Sequence, residues 1–341
     1  MGGGRTLLRD LVETPSVSGR ETAATERLVD AFESADREVW IDEVGNVRAP
    51  ADDSVLLTSH IDTVPGEIPV REEDGVLWGR GAVDAKGPLA AMATAALETG
   101  VSFAGVVEEE TTSRGAHHLV ETRDVPEAVV NGEPSGWAGV VLGYRGFHAG
   151  TYRVEEPAGH SALSDRNAIE RAMAWWGDVS EAVEATDGES DTPVFEQRTA
   201  KPVAVEGGVT DDGLATAATV DAQFRLPPGT TGDDVEATVA DATDAGGVEW
   251  ETPIAPVMRS PRNAVARALR AGIRAGDGEP THLRKTGTSD MNVYAEAWDV
   301  PMATYGPGDS SLDHTPDEHI ELVEFDRSVT VLTHAAAELR E

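Results

Sequence analysis

The chain has 341 residues, a length that accommodates about two domains with a core each. Its 62 Asp and Glu residues outnumber 27 Lys and Arg, so the formal net charge of −35 disfavours binding to nucleic acid through phosphates. The chain contains no cysteine, which excludes disulfides and thiolate metal sites.

The excess of acidic residues also indicates the environment of the protein. Hydrophobic residues make up 40% of the chain and recur with clear periods, which argues against disorder. A folded chain this acidic is typical of a halophilic organism with a salt-rich cytoplasm, where salt screens the repulsion between surface carboxylates. There is no apolar run long enough to cross a membrane and no secretory signal, so we expect a cytoplasmic protein without a membrane partner.

Helices and strands alternate in the first part of the chain. Apolar stripes at helical spacing, short apolar runs and a turn at Gly45-Asn46 predict helices over 5–13, 21–34, 86–99 and 115–122, a hairpin over 38–49, and strands over 55–58, 103–107 and 128–132. This alternation predicts an α/β fold, with a mixed, largely parallel sheet that helices cover on both faces.

The pattern changes after residue 145. Strands predicted over 147–155, 201–207 and 215–225, with helices over 167–185 and 231–242, suit a smaller α+β unit. Further helices are predicted over 263–275, 291–297 and 325–340. We therefore predict a discontinuous catalytic domain, 1–145 and 251–341, with an inserted domain over 146–250.

His60 and Asp62 follow the apolar strand 55–58 directly. Residues two apart on a strand point to the same side, so the imidazole and the carboxylate share one face. Asp62 could orient a metal-bound His60 or could itself bind the metal. On these two residues alone, a solvated turn is the better interpretation.

Further potential metal ligands follow at other strand ends. Asp84 lies in a glycine-rich turn, Glu108–Glu110 and Glu133 follow apolar strands, and His314 lies in a polar loop after 301–305. Because open α/β sheets build their sites at strand ends, this recurrence is hard to explain as solvated loops. The residues therefore predict a metal site at one edge of the sheet.

These motifs, in this order, resemble the co-catalytic zinc peptidases and deacylases of the M20 family. The matching segments are Thr14-Pro15-Ser16-Val17-Ser18-Gly19, His60-x-Asp62, Gly79-Arg80-Gly81-x-x-Asp84-x-Lys86-Gly87, Glu109-Glu110, Gly132-Glu133-Pro134-Ser135 and Gly159-His160-Ser161-Ala162. The resemblance implies a zinc-peptidase-like catalytic domain. It also implies that the insertion is a ferredoxin-like lid, which often carries a homodimer contact.

The resemblance implies the ligand sets of two divalent ions. One ion would take His60, Asp84 and Glu133, and the other Asp84, Glu110 and His314, so that Asp84 bridges them. Oxygen and imidazole ligands suit zinc foremost, with cobalt or manganese as alternatives. Glu109 would be the general base, and it can reach the site together with Glu110 only if the strand ends there. A solvated acidic surface is the alternative interpretation of residues 108–110.

The family pattern also assigns substrate-binding roles. His160 would donate a hydrogen bond to the tetrahedral oxyanion, although a lone loop histidine is usually solvated. Arg225 could bind a substrate carboxylate in a bidentate manner, or could be a plain surface arginine. Lys285 and Gly287-Thr288-Ser289-Asp290 resemble the loop that grips the substrate α-carboxylate. Lys285, Gly287, Thr288 and Ser289 would be its substrate-binding residues, and the alternative is a polar turn before the helix 291–297.

Within the family, residues 132–137 and 305–318 resemble the archaeal and Thermus-type hydrolases of lysine and arginine biosynthesis. Those enzymes release lysine or ornithine from the C-terminal glutamate of an amino-group carrier protein. The carrier is acidic, so we predict that Arg259, Arg262, Arg284 and Lys285 contribute to its docking surface.

Three alternatives remain open. An acetylornithine deacetylase or a succinyl-diaminopimelate desuccinylase would use the same metals on a free small molecule. A general aminoacylase or dipeptidase is a further possibility within the family. From another class, a binding protein without activity could have kept the fold.

Overall fold

The structure is a computed structural model that describes residues 2–160, 165–185 and 192–341. It contains two compact units. The large unit comprises Met1–Gly143, Arg259–Arg284 and Ser289–Glu341, and the small unit comprises Tyr144–Met258 and Lys285–Thr288. Within the described residues, no helix combines the length and the apolar character that a membrane span needs.

The helices are α1 Gly2–Glu13, α2 Thr22–Glu33, α3 Lys86–Thr99, α4 Arg114–Thr122, α5 Ala168–Glu184, α6 Gly232–Asp241, α7 Ala264–Ala275, α8 Asp290–Ala297 and α9 Leu322–Leu339. The strands are β1 Trp40–Ile41, β2 Val47–Ala49, β3 Asp52–His60, β4 Arg71–Glu73, β5 Val76–Trp78, β6 Val101–Val106, β7 Val129–Gly132, β8 Gly139–Tyr144, β9 Gly146–Pro157, β10 Thr199–Val209, β11 Ala215–Leu226, β12 Gly247–Trp250, β13 Val257–Met258, β14 Thr281–Lys285, β15 Met302–Thr304 and β16 His319–Glu321.

The large unit is built on a mixed sheet with the strand order β1-β2-β6-β3-β7-β15-β8, and β14 pairs with β8. The central pairs β6/β3, β3/β7 and β7/β15 are parallel, whereas the outer pairs β1/β2, β2/β6 and β15/β8 are antiparallel. Residues 55–60 of β3 are all buried, as expected for a parallel strand covered on both faces. The predicted mixed, largely parallel α/β fold is confirmed.

Helix α3 lies against this sheet and fixes the loop that precedes it. Most of its residues are buried, and a helix that is apolar all round belongs in a core. Gly100 ends the helix in the left-handed conformation, with φ 73°, and its N–H donates to the carbonyl of Ala96. Because α3 begins at Lys86, its packing holds the chain two residues after Asp84.

The small unit has the order β9-α5-β10-β11-α6-β12, which is that of ferredoxin-like folds. Its antiparallel sheet has the strand order β10-β11-β9-β12. Tyr152 and Trp175 stack in its core with their ring centroids 4.1 Å apart. That this unit serves as a lid stays a prediction.

A small sheet with the strand order β16-β5-β4 was not predicted from the sequence. Each of these strands has three residues, too few to show an alternating pattern. His319 pairs with Trp78, and Glu321 pairs with Val76. This pairing brings residues 319–321 beside the glycine-rich turn of residues 79–84.

Candidate metal centre

His60 ends β3, and its two ring nitrogens face different partners. Nδ1 lies 3.0 Å from the carbonyl oxygen of Asp62 and 3.3 Å from Asp62 Oδ1. Nε2 lies 3.2 Å from Asp84 Oδ1 and 4.0 Å from Glu133 Oε1. An imidazole whose one nitrogen is oriented by neighbouring oxygens, with the other facing carboxylates, has the arrangement of a metal ligand.

Asp84 lies between the two predicted histidine ligands. Its Oδ1 faces His60, and its Oδ2 lies 3.1 Å from His314 Nε2. His314 Nε2 also lies 3.1 Å from Glu110 Oε2. Ligand atoms of His60, Asp84 and Glu110 all lie within 4.8 Å of one another. The structure thus brings the five predicted ligand residues together, with Asp84 placed where one carboxylate can face two ions.

Asp62 holds the acidic segment that follows β6. Its Oδ1 accepts a hydrogen bond from the main-chain N–H of Glu109 at 3.0 Å, and its Oδ2 accepts one from that of Glu110 at 3.1 Å. Ser18 Oγ donates to the same Oδ2 at 2.7 Å. Since β6 ends at Val106, the strand stops before this segment, as the placement of both glutamates requires. The contacts favour the orienting role for Asp62.

Glu318 organises the loop that carries Asp84, and the sequence analysis did not identify it. Its buried carboxylate accepts hydrogen bonds from the main-chain N–H groups of Gly81, Val83 and Asp84, at 2.9 to 3.1 Å. Arg80 Nη1 donates to it at 2.8 Å. One more glutamate after His314 gives no signal in so acidic a sequence, because only the fold brings it to residues 80–84.

Asp290 is a second buried carboxyl group, and it was predicted only as the last residue of the substrate loop, without a role of its own. It is 2% exposed at the start of α8, and its Oδ1 has no hydrogen-bond partner among the described residues. Burial raises the pKa of Asp290 to about 7. Ser289, the last of the predicted substrate-binding residues, comes directly before it, and its Oγ accepts from the N–H of Met291 as the cap of α8.

The electrostatics of the cluster show why it suits a cation. Burial, with the neighbouring charge of Asp84, raises the pKa of Glu110 to about 7, and burial with the charge of Glu133 raises that of Glu109. A hydrogen bond to Asp84 raises the pKa of His314 to about 9. Burial alone would lower the pKa of His60, but its hydrogen bonds to Asp62 and Asp84 raise it well above the usual value.

Protons therefore accumulate on this cluster when no other positive charge is present. A divalent cation would replace them, since metal ligands must be deprotonated and buried carboxylates need compensating charge. The imidazole and carboxylate donors of His60, Asp84, Glu110, Glu133 and His314 fit such a cation.

The other predicted substrate residues lie in the small unit, except Ser289. His160 is exposed after β9, and residues 161 and 162 of its motif lie outside the described residues. Arg225 is partly buried, with its guanidinium carbon 4.8 Å from the ring centroid of Phe147 and its Nη1 without a hydrogen-bond partner. Lys285 ends β14, and Gly287 and Thr288 follow it. Their roles toward a substrate stay predictions.

The sequence is similar to a known protein family and to named proteins over nearly its whole length. A model described as peptidase family M20/M25/M40 matches residues 56–338. The chain is 40% identical to a [LysW]-lysine hydrolase from Deinococcus radiodurans, over 98% of the chain and 96% of that protein. It is 37% identical to a putative [LysW]-lysine/[LysW]-ornithine hydrolase from Thermococcus kodakarensis, over 98% of the chain and 91% of that protein.

Solved structures agree in fold. Aminopeptidase PepT from Bacillus cereus superposes with a TM-score of 0.82 at 19% identity, over 100% of this chain and 99% of that one. An M20 family metallo-carboxypeptidase from Sulfolobus solfataricus superposes with a TM-score of 0.75 at 17% identity, over 99% of each chain.

Proposed function

The chain belongs to peptidase family M20/M25/M40, and from that premise we propose that it releases lysine, ornithine or both from the C-terminal glutamate of an amino-group carrier protein. The proposed substrate rests on sequence identity: the chain is 40% and 37% identical, over nearly its whole length, to proteins named as [LysW]-lysine or putative [LysW]-lysine/[LysW]-ornithine hydrolases. The reaction is hydrolysis of a linear amide in lysine and arginine biosynthesis, in the cytoplasm of a halophilic organism.

Two divalent ions complete the proposed site, with zinc foremost and cobalt or manganese as alternatives. His60, Asp84 and Glu133 would hold one ion, and Asp84, Glu110 and His314 the other. When bound, such a pair lowers the pKa of a shared water and polarises the scissile carbonyl.

Glu109 is the proposed general base. Its main-chain N–H is fixed by Asp62, the residue that also orients His60, so the carboxylate and the metal ligands share one support. The carboxylate of Glu109 takes a proton from the attacking water and passes it to the leaving amine. Asp62 acts by positioning both residues.

Residues of the small unit, together with Ser289, would bind the substrate. His160 donates to the oxyanion of the tetrahedral intermediate. Arg225, which has an unpartnered and buried Nη1, binds a substrate carboxylate. The α-carboxylate of the amino acid that is released is bound by Lys285, Gly287, Thr288 and Ser289.

The small unit also supports a proposed homodimer. Strand β10 is at the edge of its sheet, and Val203, Val205 and Val209 on it are 54%, 62% and 67% exposed. An open edge strand that exposes apolar side chains is a surface that pairs with another chain. A second copy of this chain is the proposed occupant.

The experiment compares turnover of carrier-linked ornithine or lysine with turnover of N-acetylornithine and N-succinyl-diaminopimelate, in molar KCl with added zinc or cobalt. We expect release of the amino acid from the carrier to exceed turnover of either free compound in kcat/KM. Equal or faster turnover of a free acylated amino acid would replace the proposal by a deacetylase or desuccinylase.

A further inference from the structure

The positive charges of this acidic chain are concentrated in one segment. Residues 259–285 contain seven of the 27 Lys and Arg residues but only two of the 62 acidic ones, Asp277 and Glu279. The segment spans α7 and β14. It therefore has a local net charge opposite in sign to that of the whole protein.

Helix α7 presents part of this charge on one face. Its buried residues, which include Val265, Leu269 and Ile273, form the apolar side. Arg267, Arg270 and Arg274 are spaced by three and four residues, so they lie along a single stripe. Arg267 and Arg274 are exposed and Arg270 is half-buried.

Strand β14 extends the stripe. Arg270 Nη1 donates to Nε2 of the exposed His282 at 3.2 Å, which places the helix stripe beside β14. Partial burial and the charges of Arg270 and Arg274 lower the pKa of His282. We call the surface formed by Arg267, Arg270, Arg274 and His282 the basic strip.

Several arginines of this segment lie together without a carboxylate partner. Some arginines in other parts of the chain do pair with acids, as Arg5 does with Asp326, Arg80 with Glu318 and Arg123 with Asp53. In the described part of the chain, no carboxylate oxygen lies within 4.0 Å of the nitrogens of Arg262, Arg267, Arg270 or Arg274. The Nε of Arg270 is buried without any hydrogen-bond partner.

A run of unpaired arginines along one helix face is unexpected where acids outnumber cations by more than two to one. Clustered like charges repel one another, so the strip destabilises the isolated chain unless an anionic surface neutralises it. At molar salt the Debye length falls to about 3 Å, so steering over long distances is weak and direct contacts must supply the attraction. Arginine makes such contacts with carboxylates in pairs of hydrogen bonds.

The strip adjoins the segment that follows the metal ligand Glu133. The main-chain N–H of Thr281, at the start of β14, donates to the carbonyl of Ala138, five residues after Glu133. Thr281 also lines a surface cavity of about 470 Å³ together with Ser135 and Gly139. A macromolecule bound to the strip would thus lie beside residues 135–139, which follow the proposed metal ligand Glu133 in the chain.

We propose that the basic strip docks an acidic surface on the folded part of the carrier protein, an inference that rests on the proposed function. The chain's net charge of −35 opposes nucleic acid as the occupant. Arg259 does not belong to this surface, because its Nη2 donates to the carbonyls of Ala295 and Trp298 at 3.2 and 3.5 Å.

The test uses the metal-loaded full chain and the double variant Arg267→Gln/Arg274→Gln. The matched control is Arg27→Gln/Arg153→Gln, which removes the same charge from two exposed arginines outside the strip. Each protein is assayed at fixed KCl on carrier-linked ornithine and on a short glutamyl-ornithine amide without the carrier. Sizing at the same KCl and binding of a duplex DNA oligonucleotide are measured in parallel.

We expect the strip variant to raise KM for the carrier-linked substrate roughly tenfold, with kcat and the kinetics of the short amide unchanged. The control should match the parent protein on both substrates. A strip variant that also matches the parent on carrier-linked ornithine would overturn the proposal. So would an equal loss on both substrates, which would mean that the substitutions act through the fold.

A change in oligomeric state or loss of DNA binding confined to the strip variant would also overturn the proposal, because either would assign the strip another occupant. Failure of the proposed function is distinguishable from all of these results. In that case the unsubstituted protein leaves the carrier-linked amide intact.

Discussion

The metal centre and the basic strip use charge in opposite ways. At the metal centre the carboxylates are buried, and those of Asp62 and Glu318 together accept hydrogen bonds from five main-chain N–H groups. On the strip, guanidinium groups lie at the surface without carboxylate partners in the described part of the chain. The difference teaches that in an acidic protein, buried acids mark a site that needs a cation, whereas unpaired arginines mark a surface that needs an anion.

Removal of the metal ions is expected to reduce activity more than any of the substitutions below. Dialysis against a chelator should abolish amide hydrolysis, and zinc or cobalt should restore it. Because buried carboxylates would lose their compensating charge, the unfolding transition should also fall by roughly 5 °C or more. Activity and thermal unfolding, followed before and after adding the metal back, measure both changes. A chelated protein that kept full activity would show that hydrolysis does not depend on a bound metal.

Substitution of the general base separates chemistry from metal binding. Glu109→Gln should lower kcat by roughly 10²- to 10⁴-fold, because the amide cannot take a proton from water. Bound metal, measured by elemental analysis, should stay at the parent level, since Glu109 is outside the proposed ligand set. A variant as active as the parent would show that Glu109 is not the general base.

Substitution of Glu318 tests whether a residue that holds a metal ligand in place matters as much as the ligand itself. Glu318→Gln should weaken metal binding or activity by roughly 10- to 100-fold, because an amide cannot accept hydrogen bonds from three main-chain N–H groups and Arg80 equally well. Titration with zinc measures the affinity.

The matched control for this substitution is Glu321→Gln. Glu321 is exposed on β16, three residues away. Equal metal affinity in the two variants would show that the loop holds Asp84 without help from Glu318.

The fold, and the gathering of the proposed ligand residues, could be predicted from sequence because their signals are local. Apolar stripes at helical spacing located α1 and α2, and each proposed ligand followed a recognisable strand or motif. The role of Glu318 and the burial of Asp290 could not be predicted, because they depend on contacts across the chain. Glu318 contacts residues 80–84, and Asp290 is buried at the start of α8. Composition alone cannot show that Arg270 lacks a carboxylate while Arg80 has one.

The smallest expected effect distinguishes a structural arginine from those of the strip. Arg259 has a side chain 23% exposed, and it donates to two main-chain carbonyls near the end of α8. Arg259→Gln should therefore lower the free energy of unfolding by about 1 to 2 kcal/mol, because buried acceptors lose their donor. Arg267→Gln should change it by less than about 0.5 kcal/mol, as is usual at an exposed position. Urea unfolding at fixed KCl measures both variants. Since unpaired charges repel, a small gain in stability for Arg267→Gln would strengthen the contrast, whereas a loss as large as that of Arg259→Gln would mean that the strip supports the fold.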